Sequence, residues 1–339
     1  LTARRSEQQT RAGSLNRGVS PMGITVRQDG VVLIAFAGTD EVWQIEPDFQ
    51  KSPAIISGTD LDLITPHGVA DLGAGYWAVS SPAGGAMAVY DASNQMVAFE
   101  GVAPPDAELA TGDTDSLSRL ALRIRSGERA FYESTRAGMA CPSCHLHSGT
   151  DYSAHDIGQR PLLHTLTVRG IAGTAPYLKD ASFPRIRDLN NHLALTLYRG
   201  YQRFVEERNL RLESYVKSLP RDVNPMWFEE SKPELEQTGL KAFVKAQCVR
   251  CHAFPAFTNL SQHPVRAVFP DYGETQLATS LLDTPSLLGI QSEPQLLQDG
   301  RAHDLQAVLD QHNPSNRHGD TAVLSDEEKK ALIHFLKTL

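Results

Sequence analysis

Only four cysteines occur among the 339 residues, and all four fall inside two five-residue stretches, so none is left over. No apolar run approaches the roughly 18 residues that a membrane-spanning helix needs, so no membrane span is expected. The first twenty residues are polar and basic and lack the apolar core of a signal peptide. No block of lysine or arginine interrupts a chain whose formal net charge is −8. Neither a nucleic acid nor an anionic membrane surface is therefore an expected partner. A chain of this length accommodates two or three domains, each burying its own core.

What is present is one pattern twice: Cys141-Pro142-Ser143-Cys144-His145 and Cys248-Val249-Arg250-Cys251-His252. Two thiols at this spacing can bond to the two vinyl groups of one haem, and the histidine directly after them is placed to bind its iron, which is the c-type attachment signature. Two other uses of a CxxC pair fit less well. A zinc ribbon sets its pairs about 15–20 residues apart, whereas these lie about a hundred apart. A thioredoxin-like dithiol occurs once, near a βαβ pattern, and needs no histidine after it. Two covalently bound haems are expected, with His145 and His252 as iron ligands. Such attachment takes place outside the bacterial cytoplasm, so a periplasmic or otherwise exported location follows. The chain begins at Leu1 rather than methionine, and an export signal is expected in a longer precursor.

Residues 1–19 read as a polar arm. From Ser20 an internal repeat begins: Pro21-Met22-Gly23-Ile24 returns as Pro66-His67-Gly68-Val69, 45 residues on and without a gap. The same offset carries the Asp29-Gly30 turn onto Ala74-Gly75 and Val42–Glu46 onto Met87–Asp91. A period of 40–50 residues, with short alternating β runs and glycine-marked turns, reads as propeller blades over 20–103. The wording of the repeat is similar to that of YVTN-type propellers. Closing a propeller takes at least about four blades, and only about two fit before Pro104. The others are expected from a missing upstream segment or from a further chain. A small β-sandwich with similar halves is the alternative. His67 and Trp43 read as turn and blade packing.

Residues 104–115, with Pro104-Pro105 and several acids, read as a linker, and a second repeat follows. Gly127-Glu128-Arg129-Ala130-Phe131 precedes the first haem motif as Gly239-Leu240-Lys241-Ala242-Phe243 precedes the second. Thr165–Ile171 is echoed by Thr284–Ile290, and Pro176–Asp180 by Pro294–Gly300. Each half closes with an amphipathic helix: Leu212, Tyr215, Val216 and Leu219 stand at i, i+3, i+4 and i+7, as do Leu332, Phe335, Leu336 and Leu339. Ser325 with Glu328 makes a capping box. Helix, haem motif, loop and closing helix is a cytochrome c layout, present at 116–222 and 223–339. The expected fold is multidomain, an all-β partial propeller followed by two all-α cytochrome c domains.

On these residues, and on Thr284-Pro285-Ser286-Leu287, Asp299-Gly300-Arg301 and Leu324-Ser325-Asp326-Glu327-Glu328, the stretch from Ser116 to Leu339 resembles the bacterial di-haem cytochrome c peroxidase and MauG superfamily. The resemblance implies an oxidoreductase in which the first haem reacts with hydrogen peroxide and the second exchanges electrons with a redox partner protein. It counts Arg301 among the cofactor-binding residues and puts His312 at the position of the second iron's distal ligand, giving a His252–His312 pair; His318 is the alternative. For the first iron it points to Tyr198 as ligand or pocket residue, and to His192, Glu206 and Glu207 as candidate catalytic groups. Family members commonly carry an inter-haem tryptophan where this chain has Tyr177-Leu178-Lys179-Asp180, and His164 stands in place of an asparagine that helps bind calcium. A non-catalytic electron-transfer or docking protein, with both irons six-coordinate, is the competing reading.

Overall fold

The computed structural model describes residues 20–57, 65–82, 86–101, 116–133, 139–155, 163–196, 204–270 and 281–339. Strands β1 (Pro21–Val26), β2 (Val32–Phe36), β3 (Glu41–Ile45) and β4 (Ala54–Ser57) form one antiparallel meander. Strands β5 (Gly68–Gly73), β6 (Tyr76–Ser81), β7 (Ala86–Tyr90) and β8 (Met96–Gly101) form a second in the same order. Each sheet coincides with one copy of the 45-residue repeat, whose turns end on Gly30 (φ +86°) and Gly75 (φ +82°), a conformation that costs glycine nothing. The two sheets share one core of Leu33, Val42, Ile56, Trp77, Val79 and Tyr90. Trp77 and Tyr90 stack 4.5 Å apart and are fully buried. At about 25 cal/mol per Å² and roughly 150–250 Å² per aromatic side chain, each contributes a gross ~4–6 kcal/mol before entropy is charged.

Among the described residues the helices are α1 (Ser116–Tyr132), α2 (Ile186–Thr196), α3 (Glu206–Ser218), α4 (Pro233–Lys245), α5 (Val265–Val268), α6 (Leu305–Leu309) and α7 (Asp326–Thr338). By contact, the chain divides into two compact units, residues 1–147 with 191–218 and residues 148–190 with 219–339. In the first unit α1 packs on α3, and Arg129 of α1 pairs with Asp40 of the β region at 3.5 Å. In the second, α4 packs on α7 over a core of Phe243, Phe257, Leu305, Leu309, Leu332, Phe335 and Leu336. The expected capping box is present: the Ser325 hydroxyl accepts from the Glu328 amide at 3.2 Å, and the Glu328 carboxylate accepts from the Ser325 amide at 2.9 Å. Among the described residues no helix is long and apolar enough to cross a membrane.

The repeated glycine ahead of each haem motif has one cause in both copies. A Cβ on Gly127 would lie 1.9 Å from the Arg211 carbonyl oxygen of α3, and one on Gly239 would lie 2.1 Å from the Ala331 carbonyl oxygen of α7. One turn further, Phe131 meets Tyr215 at 5.4 Å and Phe243 meets Phe335 at 5.8 Å. Glycine lets the two backbones touch, and the phenylalanine then fills the crossing. Replacing Gly239 by alanine would gain about 1 kcal/mol of helix propensity and lose more to the backbone clash. The expected result for Gly239→Ala is a net loss of about 1–3 kcal/mol in urea unfolding followed by circular dichroism. Wild-type stability in that variant would show that the helices do not cross this closely.

Candidate haem sites

Both CxxCH motifs adopt the same turn. Cys144 donates its amide to the Cys141 carbonyl at 3.2 Å and His145 to the same oxygen at 3.0 Å. Cys251 and His252 do likewise to Cys248 at 3.2 and 2.9 Å. The two sulfurs of each pair are thereby carried on a single 3-10 turn with the histidine directly after it. None of the four cysteines is in a disulfide. Burial pushes the Cys248 thiol up to about 11 and raises Cys251 as well. A redox dithiol needs the opposite shift, so the raised thiols argue against that use of the second motif.

His252 is buried, and its Nδ1 lies 3.1 Å from the carbonyl oxygens of both Phe257 and Pro285. Two acceptors at one nitrogen require that Nδ1 carry the proton, which leaves the lone pair on Nε2 for a metal. The pieces that hold these acceptors are themselves tied. Thr258 Oγ1 donates to the Thr284 carbonyl at 2.6 Å, and the Thr284 amide donates to the Ser261 carbonyl at 3.1 Å. The role of Thr284-Pro285 is thus to bring a backbone carbonyl to the histidine.

The ring that faces His252 is that of His318, with centroids 6.3 Å apart and planes at 60°. Phe269 packs on the His318 ring at 4.9 Å. Burial, with His252 adjacent, lowers His318 to about 4, so it is a neutral imidazole near pH 7. Sequence reasoning put His312 in this place, with His318 as the alternative. In the structure His312 follows α6, partly buried, and its amide donates to the Ala307 carbonyl at 2.9 Å.

In the first unit the turn before β5 reaches the end of α1: His67 meets Tyr132 edge-on at 4.5 Å. Burial, and then the nearby His147, lower His67 to about 4. Trp43 packs on Phe36 at 4.8 Å. Glu206 and Glu207 are exposed in the first turn of α3, where acids favour a helix start, and Glu207 accepts from Arg211 at 2.9 Å. His192 lies on α2, its carbonyl accepting from the Thr196 hydroxyl. Tyr198 lies outside the described residues. Arg301 is exposed and donates to Asp299 at 2.7 Å.

The echoed loops of the second unit share one geometry. A single bridge joins Tyr177 to Phe183 in one copy and Leu296 to Ala302 in the other, and Leu178 (φ 68°) matches Leu297 (φ 67°). Lys179 of the first loop donates its ammonium to the carbonyl of Gln298, its counterpart in the second. Burial brings Lys179 down to about 7 against the opposing pull of the Asp299 and Glu293 carboxylates. Burial also raises Glu293, which Lys179 opposes. His164 is buried and lowered, first by burial and then by Lys179. Sequence reasoning missed Lys179 as a partly buried cation; nothing in the spacing of the repeat marks it.

Comparison with protein-family models finds no match, and comparison with curated proteins finds none. Among solved structures, a chain of Kuenenia stuttgartiensis hydrazine synthase superposes with a TM-score of 0.54 at 21% identity, covering 71% of this chain and 93% of that one. A MauG-like protein associated with microbial copper homeostasis gives 0.47 at 17% identity, with 68% and 90% covered. The diheme peroxidase BthA of Burkholderia thailandensis gives 0.44 at 13%, with 68% and 87% covered. The first of these likenesses is one of fold.

The partly buried lysine has a pH signature. Its pKa falls from the ordinary 10.5 to about 7 on folding, so between those values the unfolded chain holds more protons than the folded one. Stability must then rise with pH through that window, with a slope from this group of up to about 1.4 kcal/mol per unit. In Lys179→Met the expected slope of unfolding free energy between about pH 8 and 10 is smaller than in wild type, as measured by denaturant titration. Equal slopes would show that Lys179 is not held in this environment.

Proposed function

We propose that the chain is an exported di-haem c-type oxidoreductase of the cytochrome c peroxidase and MauG kind. The observation that carries the reading is the His252 site: a 3-10 turn presents two thiols, and two backbone carbonyls hold the imidazole with Nε2 free. Such a donor set fits a covalently attached haem and is overbuilt for a structural histidine. Cys141, Cys144 and His145 would hold one haem, and Cys248, Cys251 and His252 the other. When bound, the haems supply one-electron redox chemistry.

In this reading hydrogen peroxide is the substrate at the first site, and the second site exchanges electrons with a redox partner protein. The carbonyl contacts at His252 Nδ1 would raise the basicity of its Nε2 and so favour the oxidised state of an iron bound there. Calcium is not part of this reading, since His164 stands in place of the asparagine that helps bind it. The paired meanders are two blades of a propeller, with further blades from an upstream segment or another chain. The exposed placement of Glu206 and Glu207 favours a second reading, in which both irons are closed and the protein only carries electrons.

Replacing Cys248 and Cys251 together by alanine is expected to halve the haem content measured by pyridine haemochrome; undiminished content would remove the di-haem reading. To separate the two functions, the oxidised protein is followed by electron paramagnetic resonance before and after one equivalent of peroxide. Loss of a high-spin ferric signal is the expected result. Two low-spin signals indifferent to peroxide would leave the electron carrier.

A further inference from the structure

We propose that His318 is the second axial ligand of the metal bound by His252, and that the loop from Asn313 to Thr321 is the device that positions it; the inference rests on the haem reading above. A metal–imidazole bond is about 2.0–2.1 Å and the ligating nitrogen stands about 1 Å from its ring's centre, so imidazoles on opposite faces of one metal have centres about 6 Å apart. His252 and His318 have centres 6.3 Å apart. An ordinary edge-to-face ring pair spans about 4.5–7 Å as well, so spacing alone does not decide. The nitrogens do. His252 has its Nδ1 committed to the Phe257 and Pro285 carbonyls, which leaves its lone pair on Nε2, and the His318 ring beside it holds a buried Nδ1 with no hydrogen-bond partner among the described residues.

The loop holding His318 is built around Asn313, a buried residue. Asn313 Oδ1 accepts the His318 amide at 2.9 Å, and Asn313 Nδ2 donates to the Gly319 carbonyl at 2.8 Å. The Asp320 amide then donates to the Ala246 carbonyl at 2.9 Å, just before the second motif. Gly319, at φ +81°, is pressed so close to this segment that a Cβ would lie 3.2 Å from the Cys248 sulfur. The loop is thus anchored to the turn that carries the thiols, and His318 stands on the residue directly before that anchor. His312 takes no part in these bonds and instead extends α6 through its amide. With His252 and His318 both bound to it, a haem iron would have no free position for peroxide. Bis-imidazole ligation also sets a lower reduction potential than a methionine would, which suits a site that relays electrons.

The test uses the full-length haem-loaded chain, with two haems per chain first verified by pyridine haemochrome; if that count fails in wild type, the preceding reading is the one at fault. Electron paramagnetic resonance of wild type should show a low-spin ferric signal. In His318→Ala that signal should be lost in favour of a high-spin one and return on adding imidazole. His312→Ala should leave it unchanged. His318→Met, which keeps a ligating side chain, should stay low-spin while the midpoint potential of that haem rises, a change that a merely structural role would not produce. A His318→Ala protein that retains two haems and the wild-type low-spin signal overturns the proposal, as does loss of that signal in His312→Ala or an unshifted potential in His318→Met.

Discussion

Everything around the second motif depends on how closely α4 and α7 can approach. Gly239 allows the α4 backbone to reach the Ala331 carbonyl of α7, and Phe243 then closes the crossing against Phe335. Helix α4 ends at Lys245 and the motif begins three residues later at Cys248, so the angle of this crossing sets where the thiols and His252 point. The first unit applies the same constraint with Gly127 on α1 and the Arg211 carbonyl on α3. Glycine costs a helix interior about 1 kcal/mol relative to alanine. Its presence in both copies is explained by backbone contact and by nothing in helix propensity.

Duplication extends below the level of the helices. The loops Tyr177–Phe183 and Leu296–Ala302 repeat one bridge and one left-handed leucine, yet they diverge where they meet. The first copy supplies a lysine, and the second receives it with a backbone carbonyl. A buried ammonium is tolerated only when its desolvation is offset by acceptors and opposite charge, and here a carbonyl, Asp299 and Glu293 provide both. Burial and these acceptors pull in opposite directions, and burial wins, since the amine still titrates near 7.

Much of the architecture was legible because it repeats. The 45-residue period marked both meanders, the paired G-x-x-x-F marked the helices that lead into each motif, and Ser325 with Glu328 marked the start of α7. The candidate ligand opposite His252 was not legible in the same way. His312 and His318 lie six residues apart in one polar loop, and spacing along a chain does not say which of two imidazoles a loop will turn inward. The choice is made by Asn313, whose side chain spans the loop from the His318 amide to the Gly319 carbonyl, and by the contact of Gly319 with Cys248.

The sequence by itself determined the local chemistry: two thiol pairs each followed by a histidine, the glycine-marked strand turns, the amphipathic faces and the helix caps. Each of these follows from residue type and spacing within one turn or one strand. Only the tertiary structure decided that Pro285, 33 residues beyond His252, supplies a carbonyl to its Nδ1. It alone placed Lys179 on a carbonyl 119 positions away and the His318 ring across from His252. Those relations depend on which backbone groups are brought together once the glycine-mediated helix crossings are closed, and hydrogen bonds between distant segments leave no periodic trace in the order of the residues.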